Sequence, residues 1–292
     1  MFQVYEPCKV YVMTVFGQVD SHRQDLTPAE RRVAAVVADD PEAVAFGTVA
    51  DVARRAGASG ATVVRLATRL GYEGFVELQG AVREEMTRRL RPASERIRRP
   101  QPGDVLGQTL AVELDNVAAT LESVDRAAFA KAVRLLATET ERIFVLSGDA
   151  SLGVASLFAV ELSMLRPGVA LVAGSEAHTA RLLANVGPAD VLVVFDLARY
   201  ERAVLADAER AAARGGQLVA LTDSALSPLA AYAAVSFTVS VAGAGPFDSH
   251  TGMLALANAL TSGVAARRRR SATGRLDRVE TAWRETGALV EG

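Results

Sequence analysis

The chain is poor in several residue types, and each shortage argues against a class of protein. Its 292 residues contain one cysteine, Cys8, so no disulfide can form within the chain. That cysteine and three scattered histidines give no metal-ligand spacing. The sequence has no predominantly apolar stretch of 18 residues without a charged residue, which argues against a membrane-spanning helix. We therefore expect a cytoplasmic protein without a metal site and without membrane partners.

Signatures of catalysis and of cofactor binding are missing too. The sequence has no Walker loop and no dinucleotide-binding fingerprint, so we expect no cofactor. It also has no Ser/His/Asp signature of a hydrolase. A sugar isomerase needs a general base close to the substrate carbon. The candidate bases are Glu161, Glu176, His178 and His250. None of them stands in a sequence motif that specifies such chemistry, so we expect that the protein is not an enzyme.

The charge that is present is unevenly distributed. The whole chain has a formal net charge of −2, yet residues 21–100 contain 14 arginines against 11 acidic residues, a net charge of +3. A second basic cluster occupies residues 267–270. A neutral chain with a basic end is compatible with DNA binding without requiring it.

The first part of the chain predicts an all-helical domain over residues 25–91. Thr27 is a helix cap followed by Pro28 and by Glu30, and this helix runs to about residue 39. A turn of helix follows around residues 42–45. Thr48 then caps a short helix over residues 49–56, and the turn Gly57-Ala58 leads to a second helix that begins with Ser59. Two short helices joined by a tight turn are typical of a helix-turn-helix that reads the DNA major groove.

The second helix of this pair supplies the candidate DNA contacts. Ser59, Thr62 and Arg65 recur at a spacing of three and are expected on one face, where Arg65 can pair with guanine or with a phosphate. An ordinary helical hairpin with a surface arginine is the alternative. The full set of predicted DNA-binding residues is Arg54, Arg55, Ser59, Gly60, Ala61, Thr62, Val63, Arg65 and Arg69.

The rest of the chain predicts a different architecture. Residues 1–24 are expected to be a poorly structured extension and residues 92–106 a linker rich in proline and arginine. From residue 107 to 268, two helices precede five short apolar strands that alternate with helices, which predicts a doubly wound five-stranded parallel sheet with a flavodoxin-like three-layer arrangement. Residues 269–292 are expected to be a tail with one weak amphipathic helix around Trp283.

The helical segment resembles a known family. Ser59-x-Ala61-Thr62-Val63-x-Arg65, followed by Leu70-Gly71-Tyr72-x-Gly74-Phe75, is similar to the N-terminal domain of RpiR/MurR-type transcriptional regulators, and the resemblance extends over residues 26–86. In that family the second domain is a sugar isomerase (SIS) fold, which agrees with the strand pattern after residue 107. The resemblance implies a double-stranded DNA operator, a small-molecule effector and a homodimer or homotetramer.

SIS domains of this kind bind phosphosugars with two loops, and here both differ from the family. The first loop, residues 147–151, places Asp149 where glycine is usual; the second, residues 196–201, lacks the hydroxyls and the glycine of the Ser-x-Ser-Gly-x-Thr turn. Three interpretations of the second loop stay open: Arg199 binds the phosphate, the effector is not a phosphosugar, or the loop is only structural. The expected effector-binding residues are Ser147, Gly148, Asp149, Ser151, Asp196, Arg199, Tyr200, Ser224 and His250.

Together these features predict a DNA-binding transcriptional regulator whose SIS-like domain senses a sugar, a phosphosugar or another metabolite. One alternative is a phosphosugar isomerase with an accessory helical domain. A second is a sugar-binding module without affinity for DNA. The first predicts turnover by the purified protein, and the second predicts that replacing Arg65 changes nothing.

Overall fold

The computed structural model describes residues 15, 18, 19, 22, 25–90, 92–98, 103–138, 142–225 and 227–290. The chain divides into two compact units, Met1–Arg89 and Leu90–Gly292. No helix within the described ranges is long and apolar enough to cross a membrane.

The first unit is helical, as predicted. Its helices begin at the predicted caps: Thr27 and Thr48 each form a capping box, and the Ser59 hydroxyl accepts from the Thr62 N–H. Gly57 has a φ of 55°, a left-handed conformation that glycine adopts at low cost in a tight turn. The helices are α1 (Pro28–Asp39), α2 (Pro41–Phe46), α3 (Val49–Arg55), α4 (Gly60–Arg69) and α5 (Phe75–Leu90).

The predicted N-terminal extension needs a correction. Most of residues 1–24 lie outside the described part of the chain, but Val15 and Val19 are helical and only 3% and 5% exposed. Burial of two valines four residues apart is the pattern of a helix that packs one face against a core. At least this part of the segment therefore belongs to the helical unit.

The second unit contains a five-stranded sheet in which every strand pair is parallel, and its strand order is β2-β1-β3-β4-β5. Its elements begin with α6 (Ala93–Arg96), α7 (Val105–Ser123) and α8 (Arg126–Ala137). They continue with β1 (Ile143–Ser147), α9 (Leu152–Leu165), β2 (Val169–Val172), α10 (Glu176–Leu183), β3 (Val191–Phe195), α11 (Arg202–Ala213), β4 (Gln217–Thr222), β5 (Val235–Thr238), α12 (Thr251–Arg267) and α13 (Arg269–Thr286).

Helices cover both faces of this sheet. Alternate residues of β1, such as Val145 and Phe144, point to opposite sides and enter two separate apolar clusters. The first cluster includes side chains of α8, α9 and α12, and the second includes side chains of α10 and α11. The predicted doubly wound, three-layer α/β fold is thereby confirmed.

Two predicted connecting segments are more structured than expected. The linker over residues 92–106 contains α6 and the start of α7, and Arg96 of α6 pairs with Asp248 within the second unit. The expected C-terminal tail forms the 18-residue helix α13, in which Ala272 is buried and Arg275 donates to the Ser163 carbonyl. Both segments gain order from tertiary contacts, which local sequence patterns do not encode.

Candidate functional site

Helix α4 presents an exposed face at helical spacing. The exposed residues along it are Ala61, Val64, Arg65, Thr68 and, at its end, Arg69, whereas Leu66 and Ala67 are fully buried. Residues separated by three and four positions line one side of a helix, so the first four of these exposed residues form a single stripe. We call these four residues the reading face.

The structure places two of the predicted DNA contacts away from solvent. Val63 is fully buried, and Thr62 is only 4% exposed, so neither side chain is presented to solvent. The Thr62 hydroxyl lies 2.9 Å from the Ser59 hydroxyl and accepts from Arg65 Nη2 at 3.1 Å. Position 62 lies on the inward side of the helix together with Val63 and Leu66. The exposed face is therefore rotated from the predicted one, and it includes Val64 and Thr68, whose spacing from Ala61 is helical.

The predicted basic residues differ in what they already bind. Arg54 pairs with Asp51 at 2.5 Å, and Arg55 pairs with Asp40. Arg69 donates to the Asp25 carbonyl at 2.6 Å, so it ties α4 to the segment before α1. Exposed ion pairs are weak, and a phosphate can compete for the two arginines of α3. Arg65 is exposed and bonds within its own helix to Thr62.

In the second unit, the sheet order itself brings two predicted loops together. Strand β1 lies between β2 and β3, so the chain leaves β1 and β3 in opposite directions, and such a switch point opens a crevice at the carboxyl ends of the strands. The loops that meet there are residues 147–151 after β1 and residues 196–201 after β3. We call this place the switch-point crevice.

Carboxylates occupy the switch-point crevice. Glu201 Oε1 accepts from the Asp149 N–H, which joins the second loop to the first. A Cβ on Gly148 would lie 2.6 Å from Asp196 Oδ1 and 3.1 Å from Glu201 Oε1, so a side chain there would displace these carboxylates. Both oxygens therefore surround the same point of the first loop. Glu201 is a residue of this site that was absent from the predicted set.

Asp196 is buried beneath the second loop. Its Oδ1 accepts from the Leu197 N–H at 3.0 Å, and its Oδ2 accepts from the Glu201 N–H at 3.1 Å. Burial raises the pKa of Asp196 to about 6, and the nearby charges of Glu201 and Asp223 add to the increase, although the two backbone bonds oppose it. The side chain thus holds the loop in shape at an electrostatic cost.

The second loop also contacts the loop after β4. Tyr200 donates its phenolic proton to Asp223 Oδ1 at 2.8 Å, and burial raises the pKa of this phenol. Arg199, the residue before Tyr200, is exposed and has a left-handed φ of 73°. Ser224 is fully buried in the loop after β4. Asp223, which was not among the predicted residues, thus contacts the second loop.

A further loop reaches the crevice from the start of α12. Ser151 Oγ lies 3.3 Å from His250 Nε2, so these two predicted residues meet. Ser147 Oγ is buried without a hydrogen-bond partner among the described residues. His178, by contrast, is exposed and lies 3.3 Å from Arg181 of its own helix. Within the described ranges, no group of three or more His, Cys, Asp or Glu side chains could hold a metal ion.

Comparisons with known proteins match each of the two units to a known domain family. The family model for the helix-turn-helix domain of the rpiR family matches residues 13–89, and the model for the SIS domain matches residues 136–263. The bifunctional protein glk of Paraburkholderia xenovorans is 26% identical over 227 residues, which are 76% of this chain and 34% of that protein. The chain therefore spans about a third of the length of this curated relative.

Solved structures share the fold. The sugar isomerase domain of an RpiR transcription factor from Sphaerobacter thermophilus is 30% identical, with a TM-score of 0.55 over 60% of this chain and 97% of that one. NanR of Vibrio vulnificus, solved in complex with ManNAc-6P, is 20% identical, with a TM-score of 0.56 over 95% of this chain and all of that one; at this identity the likeness shows the fold alone. With an rpiR-type helix-turn-helix domain followed by a SIS domain, this chain belongs to the RpiR family of DNA-binding transcriptional regulators.

Proposed function

We propose that the chain controls transcription by binding an operator through the reading face of α4 and releasing or tightening its hold when a small metabolite occupies the switch-point crevice. The single observation that carries the first half is the exposed stripe of α4, which sits on the second helix of a helix-turn-helix. The proposed compartment is the cytoplasm, where an operator is accessible.

The DNA contacts are assigned to residues that the helix exposes. Arg65 is placed to donate to a guanine edge, Thr68 offers a hydroxyl, and the Val64 side chain offers an apolar contact to a thymine methyl. Arg54 and Arg55 at the end of α3 are assigned to backbone phosphates. Phosphate contacts from the supporting helix position the protein on the DNA but do not read its base sequence. Ser59 and Gly60, at the start of α4, bring the main chain close to the DNA.

The effector site is assigned to the crevice residues that meet in space. Polar groups from several loops converge there, among them the Ser151–His250 pair and the Ser147 hydroxyl, which has no hydrogen-bond partner in the described part of the chain. Such a convergence at the carboxyl ends of parallel strands is where α/β folds bind their ligands. The NanR likeness suggests a sugar derivative as effector, since that protein was solved with ManNAc-6P.

The active form is proposed to be a homodimer or a homotetramer. Helix α7 carries large apolar side chains that stay exposed in the single chain: Leu106 is 85% exposed, and Leu110 and Leu114 are each 56% exposed. Their spacing of four places them on one side of the helix. A contiguous exposed apolar surface of this kind marks an interaction site, and a second copy of the chain would let two reading faces bind two half-sites.

The test is a footprint on genomic DNA. The full-length protein should protect one or a few short, two-fold symmetric sites, and a panel of sugars and sugar derivatives should contain a compound that changes this protection. A protein that protects no specific site would contradict the proposal. Turnover of a phosphosugar by the same preparation would instead favour an isomerase.

A further inference from the structure

Three main-chain hydrogen-bond donors of the switch-point crevice are already in use. An anion held at the carboxyl end of a parallel sheet is normally bound by main-chain N–H groups. Here the N–H of Asp149 donates to Glu201 Oε1, and the N–H groups of Leu197 and Glu201 donate to the two oxygens of Asp196. Three donors from two loops are thus satisfied by three carboxylate oxygens of the chain itself.

The charge of the crevice has the same consequence. Asp149, Asp196, Glu201 and Asp223 all belong to the three adjoining loops, and the charges of Glu201 and Asp223 are close enough to act on Asp196. Asp149 and Glu201 are exposed, so an incoming ligand meets their charge directly. A phosphate with close to two negative charges would be repelled by these groups over several ångströms.

We infer that Glu201 is a specificity-determining residue that excludes phosphate from the switch-point crevice, and that the effector is an unphosphorylated polyhydroxy compound. Hydroxyl groups donate to carboxylates, so such a ligand reverses the polarity of recognition: the protein accepts and the ligand donates. Gly148 fits this role because a side chain there would collide with Asp196 and Glu201 and would break the contact between the loops.

This inference rests on the proposed effector site, and it is tested with inorganic phosphate as the probe. Titration calorimetry of the full-length protein should detect no phosphate binding by the wild type. Glu201→Ala removes the charge and frees the Asp149 N–H, so it should bind phosphate with an affinity at least about tenfold above the detection limit that bounds the wild type. Glu201→Gln keeps an oxygen acceptor but not the charge, and it should fall between the two. Glu280→Ala, an exposed change in α13, is the matched control and should behave as the wild type.

A second arm compares sugars with and without phosphate. N-acetylmannosamine and glucosamine, each beside its 6-phosphate, are added in thermal-shift assays, and the phosphorylated member of each pair should leave the wild-type melting temperature unchanged. Phosphate binding by the wild type that is lost in Arg199→Ala would overturn the inference and make Arg199 the phosphate ligand. Failure of Glu201→Ala and Glu201→Gln to gain binding would overturn it as well. Either result leaves operator binding intact, whereas the absence of a footprint refutes the proposed function and leaves the phosphate result standing.

Discussion

The Arg96 guanidinium donates to both carboxylate oxygens of Asp248, with Nη1 2.5 Å from Oδ1 and Nη2 3.3 Å from Oδ2. Arg96 lies in α6, the short helix at the start of the second unit, and Asp248 lies two residues before His250, which meets Ser151 at the switch-point crevice. This ion pair therefore connects the segment that follows the DNA-binding domain to a loop of the proposed effector site. A ligand that moves His250 has a direct route to α6.

If the pair transmits the signal, Arg96→Ala should leave both operator binding and effector binding intact but reduce the effect of one on the other. Allosteric coupling is typically worth about 1–3 kcal/mol, so the change in operator affinity caused by the effector should shrink about tenfold. Fluorescence anisotropy of labelled operator, with and without effector, measures this ratio. Asp248→Asn should have the same effect, and the exchange Arg96→Asp with Asp248→Arg should restore coupling. Full coupling in both single variants would rule out this route.

Replacement of Arg65 by alanine should weaken specific operator binding by about 1–3 kcal/mol, because a bidentate contact to guanine is worth that much. Affinity for unrelated DNA should fall far less, since Arg65 is assigned to a base edge rather than to a phosphate. Arg126→Ala, which removes an exposed arginine in the second unit, is the charge-matched control. A variant at Arg65 that footprints like the wild type would mean that another face of the domain reads the DNA.

Asp196 should make stability depend on pH in the acidic range. Its pKa of about 6 in the folded protein exceeds the roughly 4 of an unfolded aspartate. A raised pKa means that the folded state binds the proton more tightly than the unfolded state does. The stabilisation of the folded state that this proton binding provides is therefore complete below about pH 4 and is lost as the pH rises through about 6. The loss amounts to at most about 3 kcal/mol in the free energy of unfolding.

Asp196→Asn removes this titration and should flatten the decline in unfolding free energy between pH 4 and pH 7. Asparagine offers one oxygen acceptor in place of two, so a constant loss at all pH values is expected in addition. Urea unfolding at several pH values separates the slope from the offset. Asp277→Asn, an exposed change in α13, should keep the wild-type slope. An unchanged slope in Asp196→Asn would assign the effect to other groups.

The paired change Leu110→Glu and Leu114→Glu should convert the proposed oligomer to monomers, because it places two charges in an apolar contact. Light scattering coupled to gel filtration measures the mass at micromolar concentration. Each leucine buried at an interface contributes about 1.5–3 kcal/mol, so the shift in dissociation constant should exceed tenfold. Val290→Glu, at a side chain that is 97% exposed, is the control. An unchanged mass would place the subunit contact elsewhere.

Much of the fold could be predicted from the sequence because its signals are local. Thr27, Thr48 and Ser59 cap helices through hydrogen bonds to residues three positions away, and those bonds form wherever the segment lies. The strands Val169–Val172 and Val191–Phe195 are predictable for the same reason: a short apolar run between turn residues defines a buried parallel strand.

What the sequence could not decide was the environment of each side chain. Thr62 follows a spacing that suits DNA contact, yet the packing of α4 turns it inward, while Val64 and Thr68 face outward. Glu201 and Asp149 are 52 positions apart, and only the strand order, which sets β1 beside β3, brings them together. The sequence by itself determined the class of protein, because caps, strands and the helix-turn-helix pattern are local properties. The tertiary structure alone decided which residues of α4 are exposed and which side chains meet at the crevice, because both depend on contacts between segments distant in the chain.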